Sequence, residues 1–344
     1  MSGALVDLVS KGVQDVYLSG NPEVSFYRQN YKRHTNFSIK PVELKAIGGA
    51  QNPSSEIVLP IEKKGDLLTY VWCSTDDNGV STNTTTSNIQ VSDVNTPTEF
   101  SLHIGGVEID RQDAFFMNYL WPKFFATASS KNQRPSAGSA NFFPLHFFHC
   151  DTQTTPLPLV AMQYQEAEIR VKHSPNCAPG PIRYYANYVM LDTDERKFFA
   201  DQKHELLITQ TQRILADTTR SDLTYLNHPV KALAWGKASA LTTDDVQLNL
   251  NGNDVFDGRL PGKYFNTATR YYHTKFNSDT DNNLYMYSFG LYPGEHQPTG
   301  SCNFSRLDNG KLTWTCDNDP LHVYAYGYNI LTVDKGMTGL KFSN

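Results

Sequence analysis

Two stretches of the chain read alike at a distance of 146 residues: SLHIGGVE at 101–108 and QLNLNGND at 247–254. Each sets apolar residues at alternate positions, which lines them up on one face of a β-strand, and each runs into a glycine-centred hairpin turn. At the same offset, Phe143 and Leu145 of FFPLHFF match Phe289 and Leu291 of SFGLYP. YYANYVMLD, ending at Asp192, resembles AYGYNILTVD, ending at Asp334, at an offset of 142. Three matches in one order and at nearly constant spacing argue for duplication of a whole domain. At 344 residues the chain is long enough for two units of roughly 150 to 170 residues, each with its own core.

The units are β-rich. EIVLPI, DLLTYVWCS, FSLHIGGVEI and IRYYANYVML are apolar or alternating runs of strand length, while DAFFMNYLWPKFF reads as an aromatic helical or irregular stretch. The 19 Tyr, 19 Phe, 22 Gly and 18 Pro, with 19% charged residues, favour sheets joined by many turns. Tandem β-domains of this size predict an all-β fold of two eight-stranded jelly rolls. Immunoglobulin-like sandwiches are smaller, and one large sandwich is the remaining alternative. DTDERKFFADQKHEL interrupts the strands: Asp192 can cap a helix with Glu195 three residues on, and Phe198 and Phe199 supply a buried side. The expected organisation is therefore an arm at 1–24, a jelly roll at 25–190, a helical linker at 191–204 and a second jelly roll at 205–344.

In the arm, Leu5, Leu8, Val9, Val13 and Val16 stand at helical spacing over residues 3–16, predicting one short amphipathic segment that either packs on its own domain or serves as an assembly arm reaching a neighbouring subunit. The stretch 74–99 is rich in Ser, Thr and Asn and reads as a long exposed loop. It holds Asn83, which with Asn36 and Asn303 makes three glycosylation sequons; matches at this frequency are expected by chance in an Asn- and Thr-rich chain, and Asn83 alone has a setting in which a glycan is easy to carry. Asn309-Gly310 predicts a type I′ hairpin turn between Leu307 and Leu312.

Chemistry is weakly signalled. His146, His149, Cys150 and Asp151 cluster in HFFHCD, but on a strand the two histidines point to opposite faces. Glu295-His296 sits in a Pro/Gly-rich knot with no third ligand nearby, and is read as a connection whose polar groups bond to backbone. No nucleophile elbow, zinc-protease helix, P-loop or dinucleotide fingerprint occurs. No catalytic, cofactor or metal residue is assigned, and the chain is read as a non-enzyme. Five cysteines at irregular spacing suggest neither disulfide framework nor zinc site. A net charge of −5 without basic clusters gives no nucleic-acid surface. No signal peptide and no run of apolar residues long enough to span a bilayer is seen.

Several passages carry a resemblance: GVQDVYLSGNPEVSFYRQNYKRHTNFS, YVMLDTDERKFFADQKHELLI, LNHPVKALAW, YSFGLYPGEHQPTGSCNFSRLDN and VYAYGYNILTVDKGMTGLKFSN. Together they are similar to the major capsid proteins of the nucleocytoplasmic large DNA viruses, the double jelly-roll family of algal viruses. The resemblance implies a structural protein of the virion, a homotrimeric pseudo-hexagonal capsomer that tiles an icosahedral capsid. It also implies minor capsid and penton proteins and an inner membrane beneath the shell as partners, with assembly in the host cytoplasm. The alternatives are a minor capsid paralogue and a carbohydrate-binding jelly roll that uses exposed aromatics near Tyr271 and Tyr272.

Overall fold

The computed structural model describes residues 3–48, 53–74, 98–127, 143–175, 182–237, 243–275, 283–316 and 322–342. The chain forms two compact units, Met1–Asn36 and Phe37–Asn344. In the first, the expected single helix is two short ones, Gly3–Val9 and Val16–Ser19. Between them Gly12, a poor helix former, donates its N–H to Asp15 Oδ2 at 2.7 Å. Leu5, Leu8, Val9, Val13 and Val16 are all exposed.

The second unit holds the β-structure. Its first half comprises β1 (Phe37–Leu44), β2 (Ile47–Gly48), β3 (Glu56–Ile61), β4 (Leu67–Ser74), β5 (Glu99–Ile104), β6 (Val107–Asp113), β7 (Phe143–Pro144), β8 (Ala167–Lys172) and β9 (Arg183–Leu191). One sheet runs β1-β9-β4-β7, the other β2-β3-β8-β5-β6. The second half comprises β10 (His204–Leu215), β11 (Arg220–Asp222), β12 (Pro229–Gly236), β13 (Thr243–Leu250), β14 (Asn253–Asp254), β15 (Leu260–Pro261), β16 (Leu284–Ser288), β17 (Cys302–Asn303), β18 (Gly310–Cys316), β19 (His322–Asp334) and β20 (Met337–Leu340). Here one sheet runs β10-β19-β12-β16 and the other β11-β18-β13-β14. With the accessory strands β2, β15, β17 and β20 set aside, each half has eight strands in the order 1-8-3-6 over 2-7-4-5, the double-sheet jelly roll.

The equivalence extends to the turns. Gly105 and Gly106 link β5 to β6 with φ of 58° and 81°, and Asn251 and Gly252 link β13 to β14 with 51° and 81°. These are the paired positive angles of a type I′ turn, whose twist matches that of the flanking strands. Leu145 and Leu291, which share the sequence offset, do not share a role: Leu145 is buried and Leu291 is 66% exposed.

Each jelly roll has a core, and that of the first also takes in Ile208 of β10 and Leu331 and Val333 of β19 from the second. Phe100, Leu102, Ile169, Tyr184 and Tyr188 anchor the first, while Leu248, Trp235, Phe265, Tyr285 and Trp314 anchor the second. Between β9 and β10 lies the helix Thr193–Asp201, where Asp192 Oδ1 accepts the N–H of Thr193 at 2.7 Å. Its expected buried side is absent: no residue of this helix is buried, and Phe198 is 52% exposed. The two phenylalanines pack on each other and on His204 instead.

Asn309-Gly310 does not make the expected hairpin, because neither residue has a positive φ. Gly310 opens β18, which pairs with β11 and β13, whereas the preceding β17 pairs with β12 in the other sheet. The chain is crossing between sheets there, so a two-residue reversal would send it back the wrong way.

Candidate assembly interface

Among the described residues the most heavily built site is the junction between the jelly rolls. A ten-residue π-helix, Phe116–Phe125, lies between β6 and β7. Asp113 Oδ1 accepts the N–H of Phe116 at 2.7 Å at its start, and Pro122, which has no N–H to donate, stands inside it. Its aromatic side chains are packed onto the outward face of the second jelly roll: Phe115, Phe116, Leu120, Trp121, Phe124 and Phe125 cluster with Ala232 and Ala234 of β12, Leu284 and Met286 of β16, and Tyr324 and Tyr326 of β19. Phe116 stands 5.6 Å from the Tyr324 ring and 5.9 Å from that of Tyr326, which Phe125 approaches to 4.5 Å. The small alanines of β12 make room for these rings. Complete burial of such a side chain is worth about 1.5–3 kcal/mol.

Polar groups seal one flank. Thr211 of β10 donates its N–H to Asp110 Oδ1 of β6 at 2.9 Å, Gln210 Nε2 donates to the Ile109 carbonyl, and Gln112 Nε2 donates to Asp110 Oδ2 at 2.7 Å. Burial pushes the Asp110 carboxyl up to about 7, against those bonds, which favour its charged form. Nearby, Asp113 Oδ2 receives Arg213 Nη1 at 3.0 Å and the Tyr324 hydroxyl at 2.7 Å, while Arg213 Nη2 reaches Glu99 at 2.7 Å. A cleft of about 350 Å³ opens beside these groups.

The other flank contains the Glu295-His296 knot. Lys231 of β12, buried at 1% exposure, lies over the rings of Tyr326 and Tyr328 at 4.9 and 4.7 Å and donates to the Glu295 carbonyl at 2.9 Å. The Glu295 carboxylate pairs instead with Lys275 at 2.9 Å. Burial pushes the Lys231 amine down to about 7, opposed by the carboxylates of Asp151 and Glu295. His296 is lowered too, by burial and by Lys231. The knot also touches the first jelly roll: a Cβ on Gly294 would fall 2.8 Å from the Phe125 carbonyl. It is a connection, but its polar side chains do not simply bond to backbone: the Glu295 carboxylate takes Lys275, and it is the Glu295 carbonyl that receives Lys231, while Gly294 lets the chain pass close to the end of the π-helix.

HFFHCD is not a strand. Phe148–Asp151 is a single helical turn. The His146 ring stacks on Trp121 at 3.6 Å and its Nδ1 lies 3.2 Å from Asp151 Oδ1. His149 Nδ1 is 2.6 Å from the Thr69 carbonyl, and burial lowers its pKa to about 4, so it is neutral. Both rings serve packing. Cys73, Cys150 and Cys302 form no disulfide, and among the described residues no group of three or more His, Cys, Asp or Glu is placed to hold a metal. Asn303 Oδ1 accepts from the Ser305 N–H and hydroxyl, an N-cap of one 3-10 turn. Asn83 lies outside the described residues. Among those residues no helix is long and apolar enough to cross a membrane. Sequence reasoning missed Lys231, Asp113 and Arg213. Only Lys231 left a trace, as one charge inside the otherwise apolar run PVKALAWG.

The two jelly rolls are thus joined by an apolar helix seated on the outward face of one sheet and by buried polar groups at its flanks. Comparison with known proteins gives the family. Residues 25–179 match the family "Major capsid protein N-terminus" and residues 237–339 the family "Large eukaryotic DNA virus major capsid protein". The chain is 33% identical to the major capsid protein of Pyramimonas orientalis virus and 29% identical to that of Paramecium bursaria Chlorella virus 1, in each case over all of both chains. In structure it is similar to the VP54 protein of PBCV-1, with a TM-score of 0.78 and 25% identity over 93% of this chain and all of that one. The Faustovirus major capsid protein shares the fold at 11% identity, with a TM-score of 0.68 over 96% of each chain. This chain belongs to the major capsid proteins of large eukaryotic DNA viruses. It is a double jelly-roll structural component of a virion, and its family and fold indicate a non-enzymatic role.

Proposed function

We propose that the chain assembles as a homotrimer, a pseudo-hexagonal capsomer that tiles the faces of an icosahedral shell. The observation that carries this reading is the identical strand order of the two jelly rolls in one chain. Three copies around a threefold axis place six similar units about one centre, and a block of that outline packs a flat lattice. The domains are assigned as 25–190 and 205–344, joined by the linker 191–204. Minor capsid and penton proteins, and an inner membrane beneath the shell, are its further partners, and the host cytoplasm its place of assembly. Asn83 is the position assigned to any glycan.

The arm, 1–24, is proposed as an assembly element through Leu5, Leu8, Val9, Val13 and Val16, all exposed in the single chain. The purified protein should have a mass of about 116 kDa, three times the 38.7 kDa chain. A monomer at micromolar concentration would refute the trimer. Deleting residues 2–22 should leave thermal unfolding of the trimer within about 3 °C of the intact protein while lowering the yield of ordered shells. Collapse of the trimer would place the arm in the fold instead.

A further inference from the structure

The aromatic part of the contact between the two jelly rolls is a helix of one unit seated on a sheet of the other, beside the β10–β6 hydrogen bonds and the packing of Ile208, Leu331 and Val333 on the first core. The helix Phe116–Phe125 leaves the fifth strand of the first jelly roll and returns to the sixth. The second jelly roll has a helix in the same slot: π-helical Tyr264–Ala268 continues into Thr269–His273, ahead of β16, its sixth strand. The two helices are tied down alike to the loop after the sixth strand, Trp121 by its ring on His146 and His273 by Nδ1 at 3.0 Å from the Leu291 carbonyl. They differ in cover. Phe116, Phe124 and Phe125 are buried on the second jelly roll, whereas Tyr271 and Tyr272 are 69% and 71% exposed, beside exposed Leu291 and Tyr292.

The sheet that receives the first helix also has a counterpart. On the second jelly roll the helix meets the outward pair Ala232 and Tyr326, which are register partners on the third and eighth strands. On the first jelly roll Trp72 and Tyr185 are register partners on the third and eighth strands. Tyr184, Ala186 and Tyr188 point into the core, so Tyr185 faces outward. The Trp72 and Tyr185 rings are stacked at 4.4 Å, and a Glu43–Arg183 pair at 3.9 Å borders them.

We propose that the helix Tyr264–His273 docks through Tyr271 and Tyr272 onto the β1-β9-β4-β7 sheet of a second copy of this chain, around Trp72 and Tyr185. This rests on the trimer reading and specifies its interface. A ring of six similar units closes only if the contact from first to second jelly roll is repeated, from the second jelly roll of one copy to the first of the next. Inside the chain that contact is an aromatic helix on an outward aromatic sheet face. Between chains the same elements present tyrosines to a Trp–Tyr stack. The interface is head to tail, so each subunit gives one helix and receives one. Aromatic anchors of this kind carry most of the binding energy in stable interfaces.

The full-length protein tests this. The double variant Tyr271→Asp, Tyr272→Asp changes only exposed rings, and near-UV circular dichroism reports whether its core is intact. Light scattering should find the folded variant as a 38.7 kDa monomer at concentrations where the unaltered protein is a trimer. The dissociation concentration should rise by at least about 30-fold for each tyrosine lost. A photo-crosslinking benzoylphenylalanine at position 272 of the otherwise unaltered chain should join one subunit to peptides within 67–74 or 183–191 of another. A trimer that keeps its dissociation concentration in the variant overturns the interface but leaves the trimer standing, as do crosslinks confined to other segments. An unaltered protein that is not a trimer overturns both.

Discussion

Replacing Lys231 by methionine should stabilise the protein near neutral pH, and the gain should vanish as the solution becomes alkaline. The side chain is enclosed, and burial lowers its amine from the ordinary 10.5 to about 7. In the unfolded chain the amine keeps its ordinary value. Below pH 7 it is charged in both states, and the folded state bears the cost of enclosing the charge. Each pH unit of depression corresponds to 1.36 kcal/mol, so that cost is about 5 kcal/mol. Between pH 7 and 10.5 the unfolded state binds the extra proton, so stability rises with pH until the cost is gone. At pH 9 about 2 kcal/mol of it remains. Methionine has a similar length, fills the space over Tyr326 and Tyr328, and forfeits the hydrogen bond to the Glu295 carbonyl, worth about 1 kcal/mol, the attraction of the ammonium to the two rings being already contained in its lowered pKa. Lys231→Met should therefore gain roughly 4 kcal/mol at pH 6.5 and roughly 1 kcal/mol at pH 9. Urea unfolding of both proteins at the two pH values measures the difference, and groups common to both cancel. A gain independent of pH, or a loss at both values, would show that Lys231 is not held against its charge.

Phe116→Ala opens the junction: a buried Phe truncated to Ala costs about 3–5 kcal/mol, and calorimetry should resolve separate transitions for the two jelly rolls where the unaltered protein shows one. A loss under about 1 kcal/mol would mean that other contacts hold them. Gly106→Ala and Gly252→Ala should each cost about 1–2 kcal/mol by urea unfolding, because both have φ of 81° and neither Cβ would meet a neighbour within 4 Å. Unequal costs would contradict the equivalence of the two turns.

What could be read from the sequence was whatever is written locally. The alternation around Gly106 and Gly252 determines two strands and their turn over a few residues, and Asp192 sets a helix start the same way. HFFHCD was not legible as helix, because six residues do not separate a turn of helix from a strand. Phe198 looked buried because an amphipathic pattern reports only that a face exists and leaves open what covers it. The turn at Asn309-Gly310 failed for a topological reason, since the residues suit a hairpin but the path leads to the other sheet. The junction was hidden most fully. DAFFMNYLWPKFF announces burial, but its partners Ala232, Met286 and Tyr326 lie 110 to 200 residues away along the chain, and only the fold brings them together.

Apart from the partly buried Tyr119, the rings of the helix Phe116–Phe125 lack the hydroxyl that the exposed rings of the helix Tyr264–His273 carry. Phe116, Phe124 and Phe125 are covered as soon as their own chain has folded, so they never face a crowd of identical molecules. Tyr264, Tyr271 and Tyr272 face water in the single chain, and each carries an oxygen that holds it. A phenylalanine at those positions would be as good a surface to pack against and a worse one to keep in solution. On the interface proposed above, duplication within a single chain allows a division of labour, because each half can carry rings suited to the moment at which they are covered. A shell that needs many copies in solution at once gains time from the hydroxyls: its subunits can accumulate before they stick.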